Sequence, residues 1–244
     1  MMERKNYLVT GVSRGLGIEI AGALLRDENT AVYGLSRSKT AELEMLLARY
    51  PERMSWMSFD LADSTDLKVV FREFVGLQTP LHGYVNNAAV AYDDIITNLN
   101  LEKLKSMYDV NVFTPMMMTK GFIRHCLLHG VKGGIVHVSS ISVHTGYKGL
   151  GMYASSKGAL EAFSKNTARE WGERGIRSNC LVAGFMETAM SSTLSPEQKD
   201  RIYKRTSLKK PTATKSVAET IRFLLSDSAE SITGQNIYVD SGTI

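Results

Sequence analysis

Thr10-Gly11-Val12-Ser13-Arg14-Gly15-Leu16-Gly17 joins a short apolar run to a stretch with helical periodicity. Glycines at these positions allow a tight turn and let the backbone approach a phosphate closely. The amino end of the helix that follows favours negative charge. The spacing is G-x-x-x-G-x-G, which differs from the common dinucleotide fingerprint G-x-G-x-x-G. The stretch therefore predicts a phosphate-binding turn between a first strand and a first helix, with an ordinary glycine-rich loop as the alternative.

Strand-like runs and helical patterns alternate along the rest of the chain. Apolar runs predict seven strands, at residues 7–10, 31–35, 56–59, 83–85, 135–138, 178–182 and 237–239. Helical periodicity predicts helices at 15–27, 39–50, 64–75, 101–128, 152–174 and 217–225, and Pro115 should bend the fourth of them. This alternation predicts an α/β fold, a doubly wound parallel sheet of about seven strands with helices on both faces. Ligands bind outside the carboxyl ends of the strands in such sheets.

The size and composition of the chain set further limits. Its 244 residues suit one α/β domain over residues 1–244 better than two small ones, and 43% hydrophobic residues permit a sizeable core. No apolar run is long enough to span a membrane, and the first residues run directly into a predicted strand, so we expect neither a signal peptide nor a membrane partner. Cys126 and Cys180 show neither metal spacing nor a disulfide pattern, which fits a reducing cytoplasm.

Nucleic acid and metal ions are both disfavoured as ligands. The net charge is +4, and its basic residues are scattered, which disfavours nucleic acid as a partner. A mildly basic surface still suits an anionic substrate or an acidic carrier. His125 and His129 lie one helical turn apart, but no third ligand has suitable spacing. We therefore expect solvated helix residues there and no metal.

Tyr153 and Lys157 lie four residues apart, on one face of a predicted helix. A nearby ammonium favours a phenolate, so we expect Lys157 to lower the pKa of Tyr153. A tyrosine tuned in this way can give a proton to a carbonyl oxygen or take one from an alcohol. The pair alone is weak support for catalysis, because the same spacing arises by chance on exposed helix faces.

Several motifs together resemble those of the short-chain dehydrogenase/reductase family. In order and spacing they are Thr10 to Gly17, Asn86-Asn87-Ala88-Ala89, Asn111, Ser139-Ser140 and Tyr153 to Lys157. The resemblance extends from Thr10 to Gly242, and the length is similar to that of the short, compact branch. It implies a single Rossmann-type domain that binds a nicotinamide cofactor and transfers hydride to or from a substrate.

The resemblance implies a catalytic tetrad of Asn111, Ser140, Tyr153 and Lys157. Ser140 is favoured over Ser139 because it lies thirteen residues before Tyr153, the usual family interval. In the implied roles, the serine hydroxyl holds the substrate oxygen, the tyrosine is the general acid, and the lysine lowers its pKa and bonds the ribose. Asn111 would hold a water that links the lysine to solvent. The alternative for Asn111 is a buried polar side chain that the backbone satisfies.

The resemblance also implies cofactor contacts along the carboxyl edge of the sheet. The candidate residues are Gly11, Ser13, Arg14, Gly15, Leu16, Gly17, Arg37, Asp60, Leu61, Asn87, Ala88, Tyr153, Lys157, Gly184 and Thr188. Asp60 is equally well interpreted as an adenine contact or as a helix cap. Ala183-Gly184 stands where the family usually has Pro-Gly, so we expect a less rigid turn.

The residues after the second strand predict the cofactor. An NAD site usually places an acid about 20 residues beyond the glycine motif, on the ribose hydroxyl. Here the strand ends in Leu35-Ser36-Arg37-Ser38, and no acid follows before Glu42. Arg14 and Arg37 would together bind a 2′-phosphate. The expected cofactor is therefore NADP(H).

The substrate is predicted less directly. Residues 168–177 and 231–235 resemble segments of 3-oxoacyl-carrier reductases, and Arg174 and Lys132 lie at or near the basic positions with which those enzymes dock an acidic acyl carrier protein. A lid at about 185–211 offers Phe185, Met186 and Met190 for an acyl chain or for packing. We therefore expect reduction of a 3-oxoacyl thioester, as a small molecule or bound to the carrier. Ser241, in place of a common glycine, is a departure from this group.

Other interpretations stay open beside this one. A dehydrogenase of a sugar, polyol or other secondary alcohol is the rival enzyme, and a non-catalytic dinucleotide sensor is disfavoured by the intact tetrad. His144 either borders the substrate or is a loop histidine, and residues 116–118, three methionines, form core or subunit packing. The resemblance implies a homotetramer in which the helices at 101–128 and 152–174 pair across a two-fold axis.

Overall fold

The structure is a computed structural model that describes residues 4–63, 67–188 and 194–244. Seven parallel strands form one sheet in this part of the chain, in the order β3-β2-β1-β4-β5-β6-β7. The strands are β1 (Lys5–Thr10), β2 (Thr30–Ser36), β3 (Met54–Ser58), β4 (Gly83–Asn86), β5 (Gly133–Ser140), β6 (Ile176–Ala183) and β7 (Asn236–Val239). The predicted fold class is confirmed, and each predicted strand is present with its ends shifted by a few residues.

Helices cover both faces of the sheet. Their bounds are α1 (Leu16–Leu25), α2 (Ala41–Arg49), α3 (Leu101–Tyr108), α4 (Thr114–His129), α5 (Ser142–Thr145), α6 (Gly151–Trp171), α7 (Pro196–Arg205) and α8 (Thr214–Leu225). A strand buried on both sides must be apolar at successive positions, and β1 shows the result. Leu8 joins the apolar cluster that contains α4, whereas Val9 joins the cluster that contains α1 and α8.

The sheet changes direction between β1 and β4. The chain leaves β1 toward β2 on one side and leaves β4 toward β5 on the other, although β1 and β4 are hydrogen-bonded neighbours. In an open parallel sheet this reversal leaves a crevice above the carboxyl ends of the two strands. Thr10 and Asn86 are the last residues of these strands, so the crevice lies above them.

Two predicted helices differ from the observed ones. The stretch predicted at 101–128 is divided by a π-helical turn, Asp109–Phe113, between α3 and α4. Pro115 has no N–H for the Asn111 carbonyl, so an uninterrupted α-helical ladder is impossible there. The helix predicted at 64–75 begins outside the described residues, and its described part contains another π-helical turn, Val70–Phe74.

The sequence interpretation missed two short helices, α5 and α7. A capping box marks the start of α7, because the Ser195 hydroxyl accepts from the Gln198 N–H and the Gln198 side chain accepts from the Ser195 N–H. The pattern Ser-x-x-Gln is a recognised signal for a helix start and could have been found in the sequence. None of the described helices combines the length and the apolar composition that a membrane span requires.

Candidate active site

The glycine turn after β1 is shaped for close approach. Gly11 and Gly15 have φ angles of 77° and 57°, in the left-handed region that favours glycine. A Cβ atom added at Gly17 would lie 1.9 Å from the Gly11 carbonyl oxygen, so only glycine fits there. No described side chain caps the amino end of α1, whereas Thr40 and Asn100 cap α2 and α3. The first N–H groups of α1 are therefore left for a ligand, and a phosphate group fits them.

Hydrogen bonds tie this turn to the end of β4. The Thr10 hydroxyl accepts from the N–H groups of Asn87 and Ala88, both at 3.1 Å. The Asn87 amide in turn donates to the Thr10 carbonyl at 2.9 Å and to the Gly11 carbonyl at 3.4 Å. Asn87 and Ala88 thus lie beside the glycine turn, and the Asn87 side chain holds that turn in shape.

The segment that carries Arg37 is held by β3. The Ser58 hydroxyl donates to the Arg37 carbonyl at 3.0 Å, and Trp56 Nε1 donates to the Ser36 hydroxyl at 2.8 Å. The side chains of Arg14 and Arg37 are exposed, and neither forms an ion pair with any residue that the structure describes. Two guanidinium groups are consequently left on the outer side of the glycine turn and of β2.

Asp60 and Leu61 form the turn after β3. The Asp60 carboxylate accepts from the Ala62 N–H at 3.0 Å, a contact within the turn that leaves the helix-cap and adenine interpretations both open. Leu61 is buried, and its carbonyl accepts from the Thr114 hydroxyl at 2.7 Å. Contact between these two residues and an adenine ring stays a prediction.

Ser140 is the last residue of β5 and lies at the carboxyl edge. Its hydroxyl oxygen accepts from the Ser142 N–H at 3.2 Å and from the Ser142 hydroxyl at 3.0 Å. Ser139 is buried instead, and its hydroxyl donates to Glu161. The half-buried Ser140 is therefore the member of the pair placed to meet a ligand.

Lys157 is buried beneath Tyr153. The lysine is only 2% exposed, and its Nζ donates to the Val138 carbonyl at 2.8 Å. Nζ also lies 5.7 Å from the centroid of the Tyr153 ring. Burial disfavours the charged ammonium and lowers the pKa of Lys157 to about 8. A proton can therefore leave or rejoin this amine close to neutral pH.

The expected low pKa of Tyr153 is not found. Burial raises the pKa of this phenol, and the nearby Asp93 carboxylate raises it further. Both effects oppose the phenolate, since burial removes its hydration and the carboxylate repels it. Asp93 lies on the loop after β4, so its influence on the tyrosine was not visible in the local sequence.

Asn111 is buried within the π-helical turn and has both of its amide hydrogens bonded. Its Nδ2 donates to the Val90 carbonyl at 2.9 Å and to the Ser156 hydroxyl at 3.0 Å, and its Oδ1 accepts from the Val90 N–H at 2.9 Å. These contacts match the interpretation of a buried, satisfied side chain. Because Ser156 lies between Tyr153 and Lys157, Asn111 also anchors α6. Its water relay stays a prediction.

Backbone hydrogen bonds hold the turn after β6. The Ala183 carbonyl accepts from Ile141 at 3.0 Å, and the Gly184 N–H donates to the Val239 carbonyl at 2.9 Å. A Cβ atom added at Gly184 would lie 2.5 Å from Asp240 Cα. Neighbours on both sides thus fix the turn without the usual proline. Ser241 has a φ of 58°, which explains why glycine is common at its position.

Comparison with known proteins gives the family. A family model described as enoyl-(acyl carrier protein) reductase matches residues 11–243. The chain belongs to the short-chain dehydrogenase/reductase family, whose members are oxidoreductases. It is 31% identical over 254 residues to 3-oxoacyl-[acyl-carrier-protein] reductase FabG of Staphylococcus aureus, with 99% of each chain covered.

The chain is also similar to a second relative and to a solved structure. The chain is 28% identical over 238 residues to nodulation protein G of a Rhizobium species, with 98% of this chain and 96% of the relative covered. A crystal structure from Agrobacterium tumefaciens, described as a proposed 2-deoxy-D-gluconate 3-dehydrogenase with bound NADP, has a TM-score of 0.90 at 24% identity. It covers 99% of this chain and 97% of its own, and it shows the fold that the two proteins share.

The structure describes residues 185–188 and 194–211 of the predicted lid. The Tyr203 hydroxyl donates to Glu187, and the rings of Tyr203 and Phe185 lie 6.0 Å apart. Arg205 lies 5.5 Å from the Tyr147 ring, which joins α7 to the loop before α6. Met186 packs against the core cluster of α1 and α8, which is the packing interpretation, and Met190 lies outside the described residues.

Thr188 reaches the glycine turn from the lid. A Cβ atom added at Gly15 would lie 3.8 Å from the Thr188 methyl carbon. The structure therefore brings Thr188 to the same crevice as the glycine turn. Its contact with the nicotinamide end of a cofactor stays a prediction.

Two histidines differ from their expected settings. His125 is buried, not solvated, and its Nε2 lies 2.6 Å from the Thr79 carbonyl oxygen. His144 lies in α5 rather than in a loop, and its Nε2 lies 3.0 Å from a Glu161 carboxylate oxygen. Glu161 was missed by the sequence interpretation, although its spacing of four and eight residues from Lys157 and Tyr153 places it on their helix face.

We expect Gly17→Ala to weaken NADPH binding by about tenfold or more, because the new methyl group displaces the backbone that would cradle a phosphate. Gly22→Ala is the matched control on the same helix, since no atom lies within 4 Å of its added Cβ. Fluorescence titration with NADPH measures both variants. Equal affinity of the Gly17 variant and the control would show that the turn does not hold the cofactor.

Proposed function

We propose that this chain is an NADPH-dependent carbonyl reductase in which Tyr153 donates the proton. The observation that carries the proposal is the buried Lys157 ammonium. It lies 5.7 Å from the Tyr153 ring and donates a hydrogen bond to the Val138 carbonyl of β5. Burying an ammonium is unfavourable, and perturbed pKa values of this kind are typical of functional sites. Ser140 lies at the same carboxyl edge.

The roles of the residues follow from their chemistry. A bound nicotinamide supplies the hydride that reduces the carbonyl carbon. The Ser140 hydroxyl donates a hydrogen bond to the carbonyl oxygen and orients it. The Tyr153 hydroxyl gives its proton to that oxygen as negative charge develops there. The Lys157 ammonium then stabilises the phenolate electrostatically as it forms.

We expect Tyr153→Phe to remove at least about 99% of turnover while NADPH affinity changes little, because the proton donor is lost and the ring is kept. Steady-state kinetics with an acetoacetyl thioester and NADPH titration measure the two quantities. Tyr147→Phe, on the loop before α6, is the control, because it makes the same change at a tyrosine outside the tetrad. Near-normal rates in the Tyr153 variant would refute the assigned role.

The exposed guanidinium groups of Arg14 and Arg37 support NADPH over NADH. A 2′-phosphate prefers paired, bidentate donors of this kind. The A. tumefaciens protein of the same fold holds NADP, which agrees with this choice. No acid follows β2 before Glu42 that would favour a free ribose hydroxyl.

We expect Arg37→Ala to reduce kcat/KM for NADPH by about tenfold and to leave that for NADH nearly unchanged. Arg49→Ala, at the far end of α2, is the control and should alter neither value. Steady-state kinetics with both cofactors give the ratio of kcat/KM for NADPH to that for NADH. Equal efficiency of the wild type with NADH and NADPH would contradict the preference itself.

For the substrate we propose a 3-oxoacyl thioester that is reduced to the 3-hydroxyacyl form. Similarity to the S. aureus 3-oxoacyl-[acyl-carrier-protein] reductase across 99% of both chains supports this choice. The A. tumefaciens neighbour favours a second candidate, a dehydrogenase of a sugar or another secondary alcohol. Buried cysteines agree with a cytoplasmic site of action.

Basic residues support an acyl carrier protein as partner. Lys132 packs over Gly175, beside Arg174, since a Cβ atom added at Gly175 would lie 2.7 Å from Lys132 Cγ. Both residues are exposed and lie just before β5 and β6, at the amino ends of these strands. Ser140 is at the other end of the eight-residue β5, about 25 Å away. A carrier docked there must span that length or serve a neighbouring subunit.

We expect the wild type to reduce acetoacetyl thioesters with NADPH, and Arg174→Glu to lose at least about tenfold in kcat/KM with the carrier-bound substrate only, because opposite charge speeds encounter. Activity on the free thioester is the internal control, and Arg49→Glu is the surface control. Lack of activity on every 3-oxoacyl thioester would reject the substrate. An unchanged carrier dependence in Arg174→Glu would reject only the docking role.

We propose a homotetramer, which exposed apolar side chains along α4 and the turn before it support. Phe113, Met117 and Leu128 are 52%, 45% and 63% exposed, and exposed apolar patches mark protein–protein interaction sites. The expected mass in solution is that of four chains at micromolar concentration. Light scattering measures it, and a monomeric mass would contradict the proposal.

A further inference from the structure

A buried carboxylate, Glu161, continues the row of functional side chains on α6. It follows Tyr153 and Lys157 at intervals of four residues, so all three lie on one face of the helix. Its side chain is 9% exposed. A carboxylate buried to this extent needs donors, because an unpaired buried charge is strongly unfavourable.

Three other elements supply these donors. The Ser139 hydroxyl on β5 lies 2.5 Å from Oε1 of Glu161, and the Asn236 amide on β7 donates to Oε2 at 2.7 Å. Nε2 of His144 on α5 lies 3.0 Å from Oε2. The His144 ring also packs edge-on against Tyr238 of β7, with centroids 5.3 Å apart. One carboxylate thus joins β5, α5 and β7 to α6.

The anchored residues lie on both sides of Ser140. Ser139 immediately precedes it, and His144 belongs to α5, which begins with the Ser142 that bonds the Ser140 hydroxyl. Hydrogen bonds to an ionised group are about twice as strong as neutral ones. Glu161 therefore fixes the peptide around Ser140 against the helix that carries Tyr153.

We propose that Glu161 is a positioning residue that sets the separation between the Ser140 hydroxyl and the Tyr153 hydroxyl. The proposal rests on the proposed roles of those two residues. The alternative is a contribution of Glu161 to folding alone, with no effect on the reaction of the folded enzyme.

Four variants test the proposal: Glu161→Leu, Glu161→Gln, the double variant Ser139→Ala/Glu161→Leu, and the control Glu170→Gln on an exposed part of α6. For each, thermal melting gives stability, fluorescence titration gives NADPH affinity, and kcat with an acetoacetyl thioester is taken per NADPH-binding site. Crystal structures of the wild type and Glu161→Leu give the Ser140 Oγ to Tyr153 Oη distance.

We expect Glu161→Leu to lower kcat by about tenfold or more with NADPH affinity within about twofold, since a misplacement near 1 Å has effects of this size. Glu161→Gln keeps the shape of the side chain and one acceptor oxygen, so its kcat should lie between those of the wild type and Glu161→Leu. The double variant also removes the Ser139 donor, although Asn236 and His144 still lose their carboxylate partner, so it should recover part of the melting temperature without recovering kcat. Glu170→Gln should match the wild type.

A kcat within about twofold of the wild type in folded Glu161→Leu would overturn the proposal and leave a folding role. Recovery of kcat together with stability in the double variant would do the same. Failure of the proposed function is separately visible, as absent turnover in the wild type and in Glu170→Gln. In that event the crystal structures decide, because an unchanged Ser140–Tyr153 distance in Glu161→Leu would also overturn the positioning role.

Discussion

The hydrogen bonds that Thr10 makes with the end of β4 hold together the two halves of the sheet at its reversal. The Thr10 hydroxyl oxygen accepts from two successive N–H groups, and the Asn87 side-chain amide donates to the carbonyls of Thr10 and Gly11. The same junction shapes the glycine turn, because the Asn87 amide nitrogen would lie 2.8 and 2.9 Å from Cβ atoms added at Gly11 and Gly17.

Helix α6 supplies the second half of the site through one polar face turned toward the sheet. Lys157, Glu161 and Ser164 are all buried on this face, and each has a hydrogen-bond partner on β5 or β6. Buried polar groups are tolerated only when they are satisfied, so each fixes the helix against one point of the sheet. In the proposed mechanism, the chemistry at Tyr153 therefore depends on contacts made two turns further along the helix.

Much of the fold was predictable because its signals are local. Alternating apolar runs gave the seven strands, and the glycine spacing gave the turn that begins α1. Contacts between distant segments were not predictable. Asp93 acts on Tyr153 from the loop after β4, and the Thr79 carbonyl bonds His125 across 46 residues. Motif spacing located Ser140, but it could not reveal that Ser139 is held by Glu161.

The burial of Lys157 has a consequence for the pH dependence of folding. Its pKa is about 8 in the folded chain and 10.5 in an exposed setting, so between these values the unfolded chain holds more protons. Stability against unfolding then rises with pH across this window, and the unfavourable contribution of the lysine is fully present below pH 8. The protein therefore keeps a destabilising charge in its interior at neutral pH, a compromise between thermodynamic robustness and reactivity.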